Sequence, residues 1–414
     1  MNKALQTLLE EGTAVDDLLS ALIRRGTEAL LQQSLEAEVT DFLGRDRYER
    51  ADDETLHRGY RNGYRTRRLK TTEGTLTVKQ PRLRQTIEPF ESRLLNSLGR
   101  IEQRLERLAL ELYVRGLSTR DIEQALVDQD GRALLSRSAV SRLSEDLHAE
   151  YEAFATRELS GLDVVYLFVD GVYEAVRAYT KGQAILCAWA ILSDGTKTLI
   201  HLEAAQSESR AAWGAFFEGL LARGMPHPLL VVHDGAPALK AAIAQYLPQS
   251  DRQRCLAHKL RNLTARMPQE ARAQLLNEIK AVYYAPDQAT AELLAERFIT
   301  AYAASYPAVV RCFQDDLAAC LVHLKYPLAH RKFIRTTNLL ERAFVEEKRR
   351  TKVIPQHMNE RGALKLVFAV LVRASERWRR VKMTPLELAQ LRTIRQTMCP
   401  EPGESDTISF RLAA

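Results

Sequence analysis

Apolar residues recur at helical spacing through residues 1–50: Leu5, Leu8 and Leu9, then Leu18, Leu19, Leu22 and Ile23, then Leu30, Leu31 and Leu35. That period predicts two or three amphipathic helices, able to pack internally or against a second copy of the chain. Between residues 57 and 84 the period is lost. Gly59, Gly63 and Gly74 punctuate short β-prone runs such as Thr75–Val78, predicting a small strand region that ends at Pro81. Helices resume near Ser97. Ser118 followed by Asp121 forms a capping-box start for a helix over Thr119–Leu126, and a second helix is expected from Ser138 to His148. The pair reads as a helix-turn-helix with a long connection through Asp130–Gly131. An ordinary helical hairpin fits the same pattern.

At Asp163 the pattern turns to strands. Val164–Val169 is one, and Tyr173–Tyr179 and Ala184–Leu192 flank a turn at Lys181–Gly182. Thr196–Glu203 follows across Asp194-Gly195, a strong hairpin signal. The helix Ser207–Arg223 carries Trp213, Phe216, Phe217, Leu220 and Leu221 on one face. Strand Leu229–His233, helix Ala236–Tyr246 and a short strand Arg252–Cys255 come next. This succession of strands and helices predicts an α/β domain with a mixed sheet that opens on an antiparallel meander, the order of a ribonuclease-H-like fold. Residues 259–330 read as helices only, and a basic helical stretch follows. The expected organisation is residues 1–95 as a helical and basic strand region and 96–160 as a helix-turn-helix-like region. Residues 161–258 and 331–385 form a split catalytic domain around the insertion 259–330, and 386–414 form a tail.

Composition narrows the class. The chain has 414 residues, 46% hydrophobic and 27% charged, as in ordinary globular proteins. No apolar run approaches the roughly 18 residues of a membrane span. The N-terminus turns acidic at once and lacks the apolar core of a secretion signal. Five scattered cysteines form no disulfide framework, so a cytoplasmic, nucleoid-associated protein is expected.

The net charge is only +6, but residues 331–385 hold 15 Lys/Arg against five Glu, a local +10 that leaves the remainder at −4. Arg58, Arg61, Arg65, Arg67, Arg68 and Lys70 form a second block with no acid, interleaved with Tyr60 and Tyr64. Two such concentrations point to nucleic acid, because each neutralised phosphate releases a condensed counterion. Arg137 and Arg142 would open the second helix of the helix-turn-helix, where a recognition helix meets the major groove.

Two strands end in a carboxylate followed by glycine: Asp170 after Phe168-Val169, and Asp234 after Val231-Val232-His233. Side by side and parallel, they would present both acids at the carboxyl edge of the sheet, where hard oxygen ligands suit Mg²⁺. Asp-Gly is also a turn signal, and capping the next turn is the plainer reading of either acid alone. Glu341 opens a helix on which Lys348 and Lys352 fall within about 20° of it, beside Arg349 and Arg350. That face suits a metal-bound phosphodiester site with flanking phosphate contacts, or a surface salt-bridge helix.

Phe168–Tyr173, Val232–Gly235, Arg254-Cys255-Leu256-Ala257-His258, Arg335–Arg342 and Arg349–Val353, in that order, resemble the Mutator-type transposases of bacterial insertion sequences. The resemblance spans roughly residues 55–385. It implies a ribonuclease-H-like domain with an all-helical insertion, matching the 107-residue gap between Asp234 and Glu341. It implies that Asp170, Asp234 and Glu341 are the acidic catalytic triad and that Cys255 and His258 are a supporting Cys-x-x-His signature. It further implies two Mg²⁺ ions (or Mn²⁺) serving cleavage at the element ends and attack of the released 3′-OH on target DNA. The partners implied are double-stranded DNA, as terminal inverted repeats and target, and a second copy of the chain. His233 and the run Val353–His357 depart from the family pattern. No G-x-x-x-x-G-K-[ST] run is present, so no ATP requirement is expected.

Other readings stay in view. Cys255/His258 and Cys320/His323 are two C-x-x-H pairs that admit a Cys₂His₂ zinc site, although residues three apart on a helix share a face for many reasons. Trp189 and Trp213 read as core, and Trp378 as a helix-packing residue or a base-stacking one. A DNA-binding regulator without catalysis would leave the three acids unexplained. A ribonuclease-H-like nuclease or resolvase would hydrolyse without joining.

Overall fold

The computed structural model describes residues 15–50, 58–71, 74–128, 131–174, 183–338, 344–345, 349 and 360–398. The chain divides into two compact units, Met1–Asp146 and Leu147–Ala414.

In the first unit, helix α1 (Val15–Leu43) buries Leu35, Val39 and Leu43, which stand four residues apart on one face. Leu35 packs with Leu69, Leu76 and Val78 of an antiparallel hairpin, β1 (Tyr60–Thr71) and β2 (Gly74–Arg84). Side chains of α1 also pair the outer edge of β2. Glu28 accepts from the Thr77 amide at 2.6 Å, and Gln32 exchanges two bonds with the Lys79 backbone at 2.9 and 3.0 Å. A bare strand edge is a template for unwanted pairing, and here a helix satisfies it.

Helices α2 (Arg93–Val114) and α3 (Thr119–Ala125) enclose a second small core of Leu105, Ala109, Ile122, Leu134, Leu135 and Val140. The Ser118/Asp121 capping box forms with both bonds at 3.1 Å. Helix α4 (Arg137–Thr156) starts one residue before its expected position and runs eight further than expected; the division between the units falls within it.

The second unit is built on a five-stranded mixed sheet. Its strands are β3 (Val164–Glu174), β4 (Gln183–Leu192), β5 (Lys197–Ala205), β6 (Leu230–His233) and β7 (Asp251–Arg254), in the order β5-β4-β3-β6-β7. The first three pair antiparallel, while β6 runs parallel to β3 and β7 parallel to β6. The first strand does not stop at Val169; it continues through Asp170 and Gly171, which pair with Cys187 and Leu186. Backbone pairing on β4 overrides the local turn preference of Asp-Gly, and Tyr173 belongs to this same strand.

Both sheet faces are covered, which is why the central strands are apolar without alternation. A bulge between Val164 and Tyr166 sets the register of β3. Beyond it, Leu167 and Val169 face a cluster built with α5 (Arg210–Ala222) and α6 (Pro237–Tyr246). Tyr166 and Phe168 face the opposite cluster, with α13 (Glu360–Glu376) and α14 (Pro385–Met398). Trp213, Phe216, Phe217 and Leu220 of α5 are fully buried, each contributing about 1.5–3 kcal/mol. Trp189 stacks on Phe168 at 3.8 Å and Trp378 leans on Trp189 at 5.4 Å, so all three tryptophans are packing residues.

Between β7 and α13 lie α7 (Leu256–Thr264), α8 (Arg272–Tyr283), α9 (Gln288–Tyr302), α10 (Pro307–Gln314), α11 (Leu317–Leu321), a 3₁₀ turn (Val322–Lys325) and α12 (Leu328–Ile334). They hold a core of their own around Leu263, Ile279, Val282, Phe298 and Phe313. Gln253 ties this layer to the sheet, donating to the Cys320 carbonyl at 3.1 Å and accepting from the His323 amide at 2.7 Å. Among the described residues no helix is long and apolar enough to cross a membrane.

Candidate active site

Phe168 of β3 pairs with Val232 of β6 in parallel register; two residues further on, Asp170 lies within β3, which runs on to Glu174, and Asp234 is the first residue past β6. Asp170 alternates onto the Phe168 side of the sheet and is 6% exposed. Burial, then the charge of Asp170, pushes the thiol of Cys187 opposite it well up. Each acid also makes a short local bond. The Gly171 amide donates to Asp170 Oδ1 at 3.0 Å, and the Ala236 amide donates to Asp234 Oδ1 at 2.8 Å. The turn-capping role is therefore real for Asp234, at the entry to α6, and it engages one carboxylate oxygen.

A third carboxylate, absent from the sequence reading, stands at this edge. Glu208 leads into α5, and its carboxyl group fills the space that a side chain on residue 171 would occupy; a Cβ there would lie 2.5–2.8 Å from it. Burial and then the charge of Asp234 push the Glu208 carboxyl up from its ordinary value. The glycine of Asp170-Gly171 was the available signal, since glycine often marks a close approach.

Gly235 repeats the device with opposite charge. At φ +89° it adopts a backbone conformation that favours glycine, and a side chain there would collide with the Arg254 guanidinium. Arg254 is buried and pairs with Asp316 at 3.8 Å, while Lys240 reaches the same Asp316 at 2.8 Å. His233 is 1% exposed; burial, then the charge of Arg254, pushes its imidazole down to about 4, so it stays neutral. By alternation it faces away from the side that Asp170 occupies.

Cys255 caps α7 and lies beside the segment that leads to Glu341. The amide and hydroxyl of buried Thr337 approach its Sγ at 3.3 and 3.4 Å, and the Leu256 amide donates to the Arg335 carbonyl at 2.9 Å. Burial alone would raise the thiol's pKa, but hydrogen bonds from His258 and Thr337 outweigh it and hold the thiol below its ordinary value. Cys320, by contrast, interacts with Tyr283, and His323 Nδ1 donates to the Cys320 carbonyl at 3.1 Å. The two C-x-x-H pairs are thus engaged separately, and among the described residues no three His, Cys, Asp or Glu side chains form a ready metal cluster. Glu341 lies outside the described residues.

Residues 1–381 match the Mutator family of transposases. The chain belongs to that family. It is 33% identical over 372 residues to the transposase for insertion sequence element ISRM5 of Rhizobium meliloti (strain 1021), covering 88% of this chain and 91% of that protein. It is 32% identical over 381 residues to the transposase for IS406 of Burkholderia multivorans, covering 89% and 96%. It is 29% identical over 353 residues to the transposase for IS256 in transposon Tn4001 of Staphylococcus aureus, covering 84% and 89%.

The basic residues of this transposase are not equivalent. Arg58, Arg65 and Arg68 are exposed on or beside the hairpin, with Arg67 half-buried. Arg61 is turned inward: it donates to Thr40 Oγ1 at 2.8 Å and to the Arg45 and Asp46 carbonyls at 3.4 Å, fastening β1 to the end of α1. Arg137 is drawn to Glu123, which accepts from its amide at 2.7 Å and pairs with its guanidinium at 3.7 Å. Arg142 and Arg349 are exposed. The side chain of Lys70, and Lys348, Arg350 and Lys352 entirely, lie outside the described part of the chain.

Proposed function

We propose that this transposase cleaves the ends of an insertion sequence and joins the released 3′-OH to target DNA, using Asp170, Asp234 and Glu341. The observation that carries the reading is the parallel pairing of β3 with β6 as far as Phe168 and Val232, two residues before Asp170 within β3 and Asp234 just past β6, toward the carboxyl edge at which α/β sheets bind ligands. The antiparallel meander followed by two parallel strands supports a ribonuclease-H-like domain, with 259–330 as its helical insertion.

The donor set fits a hard divalent cation, since Asp170 and Asp234 offer carboxylate oxygens at one sheet edge. Asp170, Asp234 and Glu341 would hold Mg²⁺, or Mn²⁺ in its place; when bound, the metal supplies Lewis-acid activation of the attacking and leaving oxygens of an in-line displacement. The chain's own residues do the positioning. The Gly171 and Ala236 amides fix one oxygen of each aspartate, so neither has to reorient when DNA arrives. Thr337, held on Cys255, anchors the segment that precedes Glu341. Exposed arginines on the hairpin and at the start of α4 hold phosphates. No ATP is needed, and two chains act together because two element ends must meet.

The test is cellular. The chain is supplied with its source element, and DNA is sequenced for new end-to-end junctions and insertions, with Asp170→Asn as control. Junctions from the wild type alone support the reading; junctions from both remove Asp170 from the chemistry. Hydrolysed ends without joined products would mean a nuclease, and intact ends with DNA binding a regulator.

A further inference from the structure

Glu208 has a fixed place. Ser209, the next residue, caps α5 by accepting from the Ala212 amide at 3.1 Å, so the backbone that carries Glu208 is pinned at the helix entry. The carboxyl group of Glu208 then rests on Gly171, directly after Asp170 in β3, in space kept open by the missing side chain. Asp170 and Gly171 alternate to opposite faces of β3, so the carboxylates of residues 170 and 208 straddle that strand. The helix cap itself is made by Ser209, so capping does not account for a glutamate here.

Mg²⁺ takes one or two carboxylates directly and keeps several of its waters. Groups that accept hydrogen bonds from those waters tune the affinity of the site as the direct ligands do.

We propose that Glu208 is a positioning residue of the metal centre, accepting hydrogen bonds from waters of the divalent ion held by Asp170 and Asp234. The inference rests on the acidic-site reading above. It extends that site to the opposite face of β3, and it gives Gly171 a role: any larger residue would displace the Glu208 carboxyl.

The experiment is a Mn²⁺ titration of the full-length chain, followed by the loss of the free-ion electron paramagnetic resonance signal, with Mg²⁺ competition. Wild type, Asp170→Asn, Glu208→Gln and Gly171→Ala are compared, with circular dichroism to confirm that each is folded. The expected result is saturable binding by the wild type, and weakening of about 10-fold or more in Glu208→Gln. Gly171→Ala weakens binding in the same sense while keeping every carboxylate. Unchanged affinity in Glu208→Gln, alongside loss in Asp170→Asn, overturns the role of Glu208 and leaves the acidic site standing. Absence of binding by the wild type, or equal binding by Asp170→Asn, overturns the acidic-site reading and this inference with it.

Discussion

Cys255 and Thr337 join two parts of the chain 82 residues apart, at the point where the strand region meets the segment running toward Glu341. Replacing Cys255 with Ala removes the acceptor for the Thr337 amide and hydroxyl, and Thr337 is fully buried. A buried amide left without a partner costs about 1–3 kcal/mol. The lost sulfur leaves a small cavity worth about 1 kcal/mol more, whereas the hydroxyl can rotate to another acceptor. The expected loss is therefore about 2–4 kcal/mol, read from urea unfolding at pH 7. Thr337→Val alone removes only the hydroxyl's bond and should cost about 1 kcal/mol. In the Cys255→Ala background that cost should shrink by at least about 0.5 kcal/mol, because the two residues share one interaction. Junction formation in cells should fall further than stability does, since this clamp precedes Glu341. A Cys255→Ala chain within about 0.5 kcal/mol of wild type, or strictly additive losses in the pair, would refute the clamp.

Two further outcomes follow from charge. Burial pushes the His323 imidazole down to about 4, so the folded chain keeps it neutral while the unfolded chain protonates it near pH 6.5. Its effect on stability is absent above that pH and grows as pH falls toward 4, reaching about 3 kcal/mol of destabilisation, and His323→Gln should flatten this part of a stability–pH curve measured by denaturant; an unchanged curve would show that His323 titrates normally. Removing exposed Arg65 and Arg68 together should weaken binding of a generic DNA duplex and lower the slope of log affinity against log salt by about 0.9 per lost phosphate contact. Arg61→Ala should instead lower thermal stability, since its guanidinium bonds Thr40 and two carbonyls; equal salt slopes in all three chains would deny the hairpin a phosphate role.

What could be read from the sequence, and what could not, follows the range of the forces involved. The α5 face of Trp213, Phe216, Phe217 and Leu220 and the Ser118/Asp121 box are set within one or two helical turns, and both are legible in the residues. The runs that became β4 and β6 are apolar enough to be read as buried strands. The continuation of β3 through Asp170-Gly171 is decided by pairing with Cys187 and Leu186, at least 15 residues away, against a local turn preference. Glu208 was missed for the same reason: Ser207-Glu208-Ser209 reads as a helix entry, and the glycine that receives its carboxyl is 37 residues earlier. Arg61 and Arg137 read like their exposed neighbours, because charge alone does not show that Thr40 or Glu123 waits for them. That the strands leading to Asp170 and Asp234 lie side by side and parallel is a possibility in the sequence, and the pairing of β3 with β6 realises that much.

The acidic site is tested most directly by separating binding from chemistry. Glu341→Gln and Asp234→Asn chains would be purified with the wild type and given labelled DNA carrying the element's ends and Mg²⁺, with binding and strand cleavage followed on the same samples. The account predicts wild-type cleavage, and in both variants binding within about threefold of wild type with cleavage lowered by 10²-fold or more, about 2.7 kcal/mol in the barrier. Cleavage retained by either variant at wild-type binding would contradict it.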